Sequence, residues 1–197
     1  LLARCDCDYD TQLAWSPDGG TIAYSESQYV HLVHSDGTGR RALTRAGDGS
    51  ESPDLSWSPD GKQIAFTRAP VPYVMGSDGL ERRNPDKPDL FVINTDGSGE
   101  RELGPGENPT WAPEGARIAF TRGGVVYTIS SEGRSERRLG RGDHQLSWSP
   151  SGTQIVVSRG SGRQRAIWAW NVDASGGRQI WPRRGVCECF SPAWQPR

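Results

Sequence analysis

Trp57-Ser58-Pro59-Asp60-Gly61-Lys62-Gln63-Ile64-Ala65-Phe66 is the stretch that decides the architecture, because nearly the same phrase returns along the chain. It stands again at Trp15-Ser-Pro-Asp-Gly, Trp111-Ala-Pro-Glu-Gly and Trp148-Ser-Pro-Ser-Gly, with a shorter echo at Trp194-Gln-Pro-Arg. Successive tryptophans are 42, 54, 37 and 46 residues apart. A period of roughly 40 to 50 residues marks an array of small repeated units. Proline presets φ for a turn and glycine permits φ > 0, so each phrase reads as a tight connection between two antiparallel strands.

Outward from each phrase the pattern continues. A short apolar strand follows in Thr21-Ile-Ala-Tyr-Ser, Gln63-Ile-Ala-Phe-Thr, Arg117-Ile-Ala-Phe-Thr and Gln154-Ile-Val-Val-Ser. A third strand is read at Tyr29-Val-His-Leu-Val, Leu90-Phe-Val-Ile-Asn, Val125-Val-Tyr-Thr-Ile and Ala166-Ile-Trp-Ala-Trp, then a second glycine-marked turn, then a fourth strand ending near Leu43, Leu103, Leu139 and Ile180. Four antiparallel strands per repeat make one β-propeller blade. The expected fold is therefore all-β, with full blades over residues 12–43, 54–103, 109–139 and 145–180. Residues 191–197 read as a closing first strand, and Leu1-Leu2-Ala3 as the end of a fourth strand from a missing blade. This makes 1–197 a single propeller domain truncated at its N-terminal side, part of a five- or six-bladed ring. Trp15, Trp57, Trp111, Trp148 and Trp194 recur at one structural position and are read as blade-packing residues rather than a ligand cage.

The units resemble the repeat of TolB-like propellers, whose phrase Trp-Ser-Pro-Asp-Gly-x-x-Ile-Ala-Phe is matched from Trp57 to Phe66, and the likeness extends over nearly the whole chain. The resemblance implies a six-bladed ring closed by a terminal strand and a non-enzymatic scaffold that binds a protein or peptide in the periplasm or cell envelope. The same repeat also occurs in the gating domains of prolyl-oligopeptidase-like hydrolases and in sensory proteins. A substrate-gating domain and an extracytoplasmic sensor module therefore stand as alternatives, because a fold does not fix a function.

Hydrophobic residues make up 34% of the chain, with 25 glycines and 14 prolines, and its apolar runs are too short to span a bilayer. Net charge is −1; of 23 basic residues only Lys62 and Lys87 are lysines, and acids are interleaved with the arginines. No continuous basic stripe for a phosphate backbone results, so nucleic acid is not an expected partner. No Gly-x-Ser-x-Gly elbow, Gly-rich phosphate loop or His-Glu-x-x-His is present, so neither enzyme chemistry nor a cofactor is expected. His31 and His34 lie three apart on one strand and face opposite sides, which is unsuited to sharing a metal.

Candidate binding residues collect at the blade ends that carry the connections between strands two and three. The longest insertion, Ala69 to Pro88, lies there with four prolines, Tyr73, the only methionine at Met75, and Glu81-Arg82-Arg83. Loops this long are usually functional or disordered. Four residues past the repeated isoleucines stand Glu26, Arg68, Arg122 and Arg159, so three of four blades place an arginine at the rim of strand two. Polar residues that include Glu107, Asp143 and His144 precede the first strands. The functional reading is a ring of charge that grips a polar or anionic segment; the alternative is that each arginine pairs with an acid of a neighbouring blade. Trp168 and Trp170 share one strand face, as an enlarged inter-blade contact or an exposed stacking patch. Cys5-Asp-Cys7 and Cys187-Glu-Cys189 both fall in connections before a first strand. Disulfides, reduced thiols and a four-thiolate zinc site are the states they allow.

Overall fold

The computed structural model describes residues 12–26, 29–44, 54–68, 73–75, 77, 81–83, 88–142, 146–160 and 166–181, with the backbone alone for 73–75 and 81–83. All regular elements among them are strands. The chain divides into two compact units, Leu1–Pro105 and Gly106–Arg197. Each holds two four-stranded antiparallel sheets, and these are the blades of a β-propeller.

In the first unit, blade one runs β1 (Leu13–Trp15), β2 (Thr21–Glu26), β3 (Tyr29–His34) and β4 (Arg41–Ala42), paired in that order. Blade two is β5 (Leu55–Trp57), β6 (Gln63–Arg68), β9 (Asp89–Asn94) and β10 (Arg101–Pro105), interrupted by an added hairpin of β7 (Tyr73–Met75) and β8 (Glu81–Arg83). Part of the long insertion, expected as irregular material, is thus a paired ribbon.

In the second unit, blade three is β11 (Glu107–Trp111), β12 (Arg117–Thr121), β13 (Val125–Ser130) and β14 (Arg137–Arg141); blade four is β15 (Leu146–Trp148), β16 (Gln154–Arg159), β17 (Ala166–Asn171) and β18 (Gly177–Trp181). Blade three starts two residues earlier than expected, because Asn108 takes φ 55 and the register slips between Glu107 and Thr110. That extra residue forms a bulge, so pairing continues past a point where the sequence pattern breaks.

The repeated phrase folds as it does because its serine and aspartate close their own turn. Ser16 Oγ donates to Asp18 Oδ1 at 2.6 Å, Gly20 N to the same oxygen at 2.9 Å, and Thr21 N to Ser16 Oγ at 2.9 Å. Ser58 and Asp60 repeat this at 2.6, 3.1 and 2.9 Å. The following glycines, Gly19 and Gly61, sit at φ 70, a conformation that strains any residue with a Cβ. These hydrogen bonds also favour the ionised carboxylates, so Asp18 and Asp60 titrate below the usual aspartate value.

Neighbouring blades within each unit are joined by three devices. First, apolar faces mate. Ala23, Val30, Leu32 and Leu43 of blade one meet Ile64, Phe66 and Ile93 of blade two, and Ala112, Ala119, Val126 and Leu139 of blade three meet Ile155 and Val157 of blade four. Second, the repeat tryptophan crosses the junction. Trp57 Nε1 donates to Ala14 O and Trp148 Nε1 to Thr110 O, both at 3.0 Å, in each case to the carbonyl just before the preceding blade's tryptophan. Third, the arginine opening strand four reaches the next blade's carbonyl at the end of strand three, Arg41 to Thr95 O and Arg137 to Val172 O. Trp111 and Trp148 are buried and Trp57 is half-buried, whereas Trp15 is 60% and Leu13 69% exposed. Trp194 lies outside the described residues.

Candidate functional site

Antiparallel connectivity puts the last residue of strand two at the blade end that carries the connection to strand three. Glu26 and Arg68 close β2 and β6, Arg122 directly follows β12, and Arg159 closes β16. Strand alternation sets each side chain on the same face as the residue two before it. Those residues are Tyr24, Phe66, Phe120 and Val157, and their cross-strand partners are His31, Phe91, Tyr127 and Trp168. In the first three blades the two rings stack, with centroids 5.2, 5.5 and 5.5 Å apart.

The arginines fold back over these rings instead of projecting from the rim. The Arg68 guanidinium carbon is 4.3 Å from the Phe91 centroid and 5.5 Å from that of Phe66, and its Nη2 is 2.9 Å from Glu100 Oε1. Arg122 repeats the arrangement, 4.3 Å from the Tyr127 centroid, with Nη1 donating to Glu136 Oε2 at 3.0 Å and Nη2 to the other carboxylate oxygen. Donating to the Glu136 carboxylate raises the pKa of that guanidinium above its ordinary value. The acid is therefore supplied by the arginine's own blade, from the residue just before the strand-four arginine, and not by a neighbouring blade. Blade one keeps the pair with its signs exchanged: Arg40 donates to Glu26 and lies 6.0 Å from the Tyr24 centroid.

Blade four departs from its sisters. Gly177 occupies the position of Arg40, Glu100 and Glu136, and Arg159 lies 4.8 Å from the Trp168 centroid. No carboxylate pairs with Arg159 among the described residues. Trp168 stacks on Trp170 with centroids 5.5 Å apart, and both pack against the apolar core between blades three and four. The enlarged inter-blade contact is thus the arrangement present. Trp170 Nε1 donates to Arg141 O at 3.1 Å, and the indole fills space at two glycines: a Cβ would lie 2.3 Å from it at Gly140 and 2.2 Å at Gly177.

Blade one carries the only described histidine in such a stack. His31 lies 5.8 Å from Tyr29 as well as against Tyr24, with Nε2 3.5 Å from Glu26 Oε2 and a buried Nδ1 that has no hydrogen-bond partner among the described residues. Burial lowers its pKa, outweighing the attraction of Glu26, so the imidazole is neutral at pH 7. His34 is exposed at the end of β3, against Gly39.

Of the remaining candidates, Glu107 opens β11, half-buried and opposite Thr121. Tyr73 and Met75 lie on β7, at the same end of blade two as Arg68. Asp143, His144, Cys5, Cys7, Cys187 and Cys189 lie outside the described residues. Among the described residues no three His, Cys, Asp or Glu side chains converge as a metal-binding group. At the opposite end of blades one and two a cavity of about 620 Å³ is lined in part by Asp18, His34, Arg41, Trp57 and Asp60. It opens where Thr21 and His34 replace the pair Gln63 and Asn94, which hydrogen bond at 2.9 Å in blade two. The four rim residues do not line it.

Sequence reasoning found the rim arginines but missed Glu100, Glu136 and the Glu26–Arg40 exchange. The signal was present as the residue preceding Arg41, Arg101, Arg137 and Arg178 in each repeat.

The fold and its repeated junctions define a β-propeller of four-stranded antiparallel blades. Among solved structures the chain is similar to a TolB from Agrobacterium tumefaciens, at 21% identity and TM-score 0.66, covering 94% of this chain and 69% of that one. It is similar to a chain of a nidogen/laminin complex at 14% identity and TM-score 0.65, covering 93% and 67%. It also resembles dipeptidyl peptidase 4 from Porphyromonas gingivalis at 13% identity and TM-score 0.59, covering 87% of this chain and 32% of the peptidase. No protein-family model and no curated protein matches the sequence. At these identities the likeness shows the fold alone.

Proposed function

We propose that this chain is a non-enzymatic propeller module that binds a protein or peptide partner outside the cytoplasm, at the blade ends that carry the connections between strands two and three. The observation that carries the reading is the hairpin β7–β8, inserted into blade two at the end where Arg68 lies. Blade three makes the same connection with Arg122-Gly-Gly-Val125, closed by hydrogen bonds of 2.9 and 3.2 Å. The added ribbon is therefore not needed to build a blade, and the outer backbone edges of a two-stranded ribbon suit strand-to-strand recognition. The likeness to TolB and to a chain of a nidogen/laminin complex supports a binding role and an extracytoplasmic setting.

A photo-crosslinking residue in place of Tyr73, carried by the full protein in its own cells, tests this. Discrete adducts are expected from position 73 and not from Asp96 at the opposite end of the same blade. Equal labelling at both positions, or none at either, would refute the assignment. The second reading, a substrate-gating domain of a hydrolase, is supported by the fold likeness to dipeptidyl peptidase 4. It requires a catalytic segment elsewhere in the parent chain.

A further inference from the structure

The four blades serve as internal controls for one another. In blades one to three the charged residue at the end of strand two has an opposite charge in its own blade: Glu26 with Arg40, Arg68 with Glu100, Arg122 with Glu136. The exchange of signs in blade one keeps the pair neutral without keeping the residues. In blade four the arginine is kept and the acid is not.

The loss of the acid follows from the packing. Gly177 takes the acid's place, and a Cβ there would lie 2.2 Å from Trp170 Cε3. Trp170 stands opposite Ile155, where blades two and three have Ile93 and Ile129. The larger ring and the acid compete for one space, and the ring occupies it. Arg159 is left half-buried on the Trp168–Trp170 stack, held by a cation–π contact of 4.8 Å. Taking a guanidinium partly out of water with no counter-charge among the described residues is unfavourable, and its planar fork of donors matches a carboxylate bidentately.

We propose that Arg159, seated on Trp168, is an anion-recognition residue of this module and takes a carboxylate from an acidic segment of a partner protein. The ligand is a carboxylate because the sister arginines are each satisfied by a glutamate in the same setting. This rests on the partner-binding reading above, and it names the chemistry of the partner.

The test is titration of the isotopically labelled 197-residue chain with an N-acetylated hexaglutamate peptide, observing arginine Nε–Hε and tryptophan indole signals. Arg159→Lys and Trp168→Phe assign the two signals. The expected result is a saturable shift of the Arg159 and Trp168 signals with a Kd on the order of 1 mM, weakened about tenfold by Arg159→Gln, with Arg68 and Arg122 unmoved. Because the wild-type signals are themselves the readout, instability of a variant leaves the test intact. Absence of a saturable shift overturns the proposal. So does an equal response to inorganic phosphate, which would make the site a general anion site. Asp143 lies outside the described residues, and an Asp143→Asn change that moves the Arg159 signal without peptide would show that the carboxylate is internal. If Tyr73 crosslinks while Arg159 does not respond, the partner-binding reading stands and this inference fails; the reverse result separates them in the other direction.

Discussion

Gly140→Ala tests the claim that Trp170 has been fitted into blade four by emptying the positions around it. The new Cβ would lie 2.3 Å from Trp170 Cη2 and Cζ2, against the 3.4–4 Å of ordinary contact, so the ring would have to retreat by more than an ångström. It has nowhere to go: Gly177 meets its other edge, and Nε1 is tied to Arg141 O at 3.1 Å. Overpacking of this kind costs about 1–3 kcal/mol, and a broken indole hydrogen bond adds about 1 kcal/mol. Against this, replacing glycine where φ is compatible contributes about 0.5 kcal/mol by restricting the unfolded chain. The expected net loss is about 2 kcal/mol in urea-induced unfolding, analysed with allowance for separate transitions of the two units. In a Trp170→Ile background, which restores the residue type of Ile93 and Ile129, the same change should become neutral or stabilising by about 0.5 kcal/mol. If Gly140→Ala costs the same in both backgrounds to within about 0.5 kcal/mol, the ring is not what the glycine accommodates, and the account of why blade four lost its acid falls with it.

Trp57→Phe and Trp148→Phe each remove an indole donor from a junction carbonyl and should cost about 1 kcal/mol beyond the lost ring area, whereas Trp15→Phe, at an exposed position, should change stability by less than about 0.5 kcal/mol; equal losses at all three would show that the indole bonds do not clamp the blades. The lowered pKa of His31 means that the unfolded chain binds its proton first as pH falls. Stability should therefore decline as pH drops below about 6.5 and level off below the folded value. His31→Phe, the residue type of Phe91, should remove that step in denaturation curves taken between about pH 7 and 5, and a step that persists would assign it to another group.

The array was legible in the sequence because its determinants are local. Ser16 with Asp18 and Ser58 with Asp60 lie two residues apart, and the turn they close needs a glycine directly after it. Blade boundaries were legible to within about two residues, failing where a bulge at Asn108 broke the alternation. The site was legible only in half. An arginine four residues past an isoleucine is a visible recurrence, but its counter-charge comes from the residue just before a strand two places away, 14 residues on in blade three and 32 in blade two. That difference is the insertion that hides the correspondence. Gly177 was unreadable in isolation, since a glycine in a turn-rich sequence does not announce that a tryptophan from the adjacent strand occupies its missing side chain. The cysteines, Asp143, His144 and Trp194 lie outside the described residues.

Repetition separates what builds the blade from what one blade does differently. Positions where the blades agree map onto the junction: the tryptophan that crosses to the preceding blade, the arginine that reaches the next, and the isoleucine under the aromatic pair. Departures come in two kinds. In blade one Glu26 and Arg40 exchange signs together, so the electrostatic sum at the rim is unchanged and the substitution asks nothing of a partner. In blade four Val157, Trp168, Trp170 and Gly177 change together and conserve volume, filling with one large ring the space that a smaller residue and an acid share elsewhere. Among the described residues volume is balanced there and charge is not. A compensated departure leaves a blade self-sufficient, whereas an uncompensated charge held on a rigid aromatic platform is a preorganised half of an ion pair. Among the described residues that asymmetry distinguishes Arg159 from Arg68 and Arg122, and it is what the proposed carboxylate would answer.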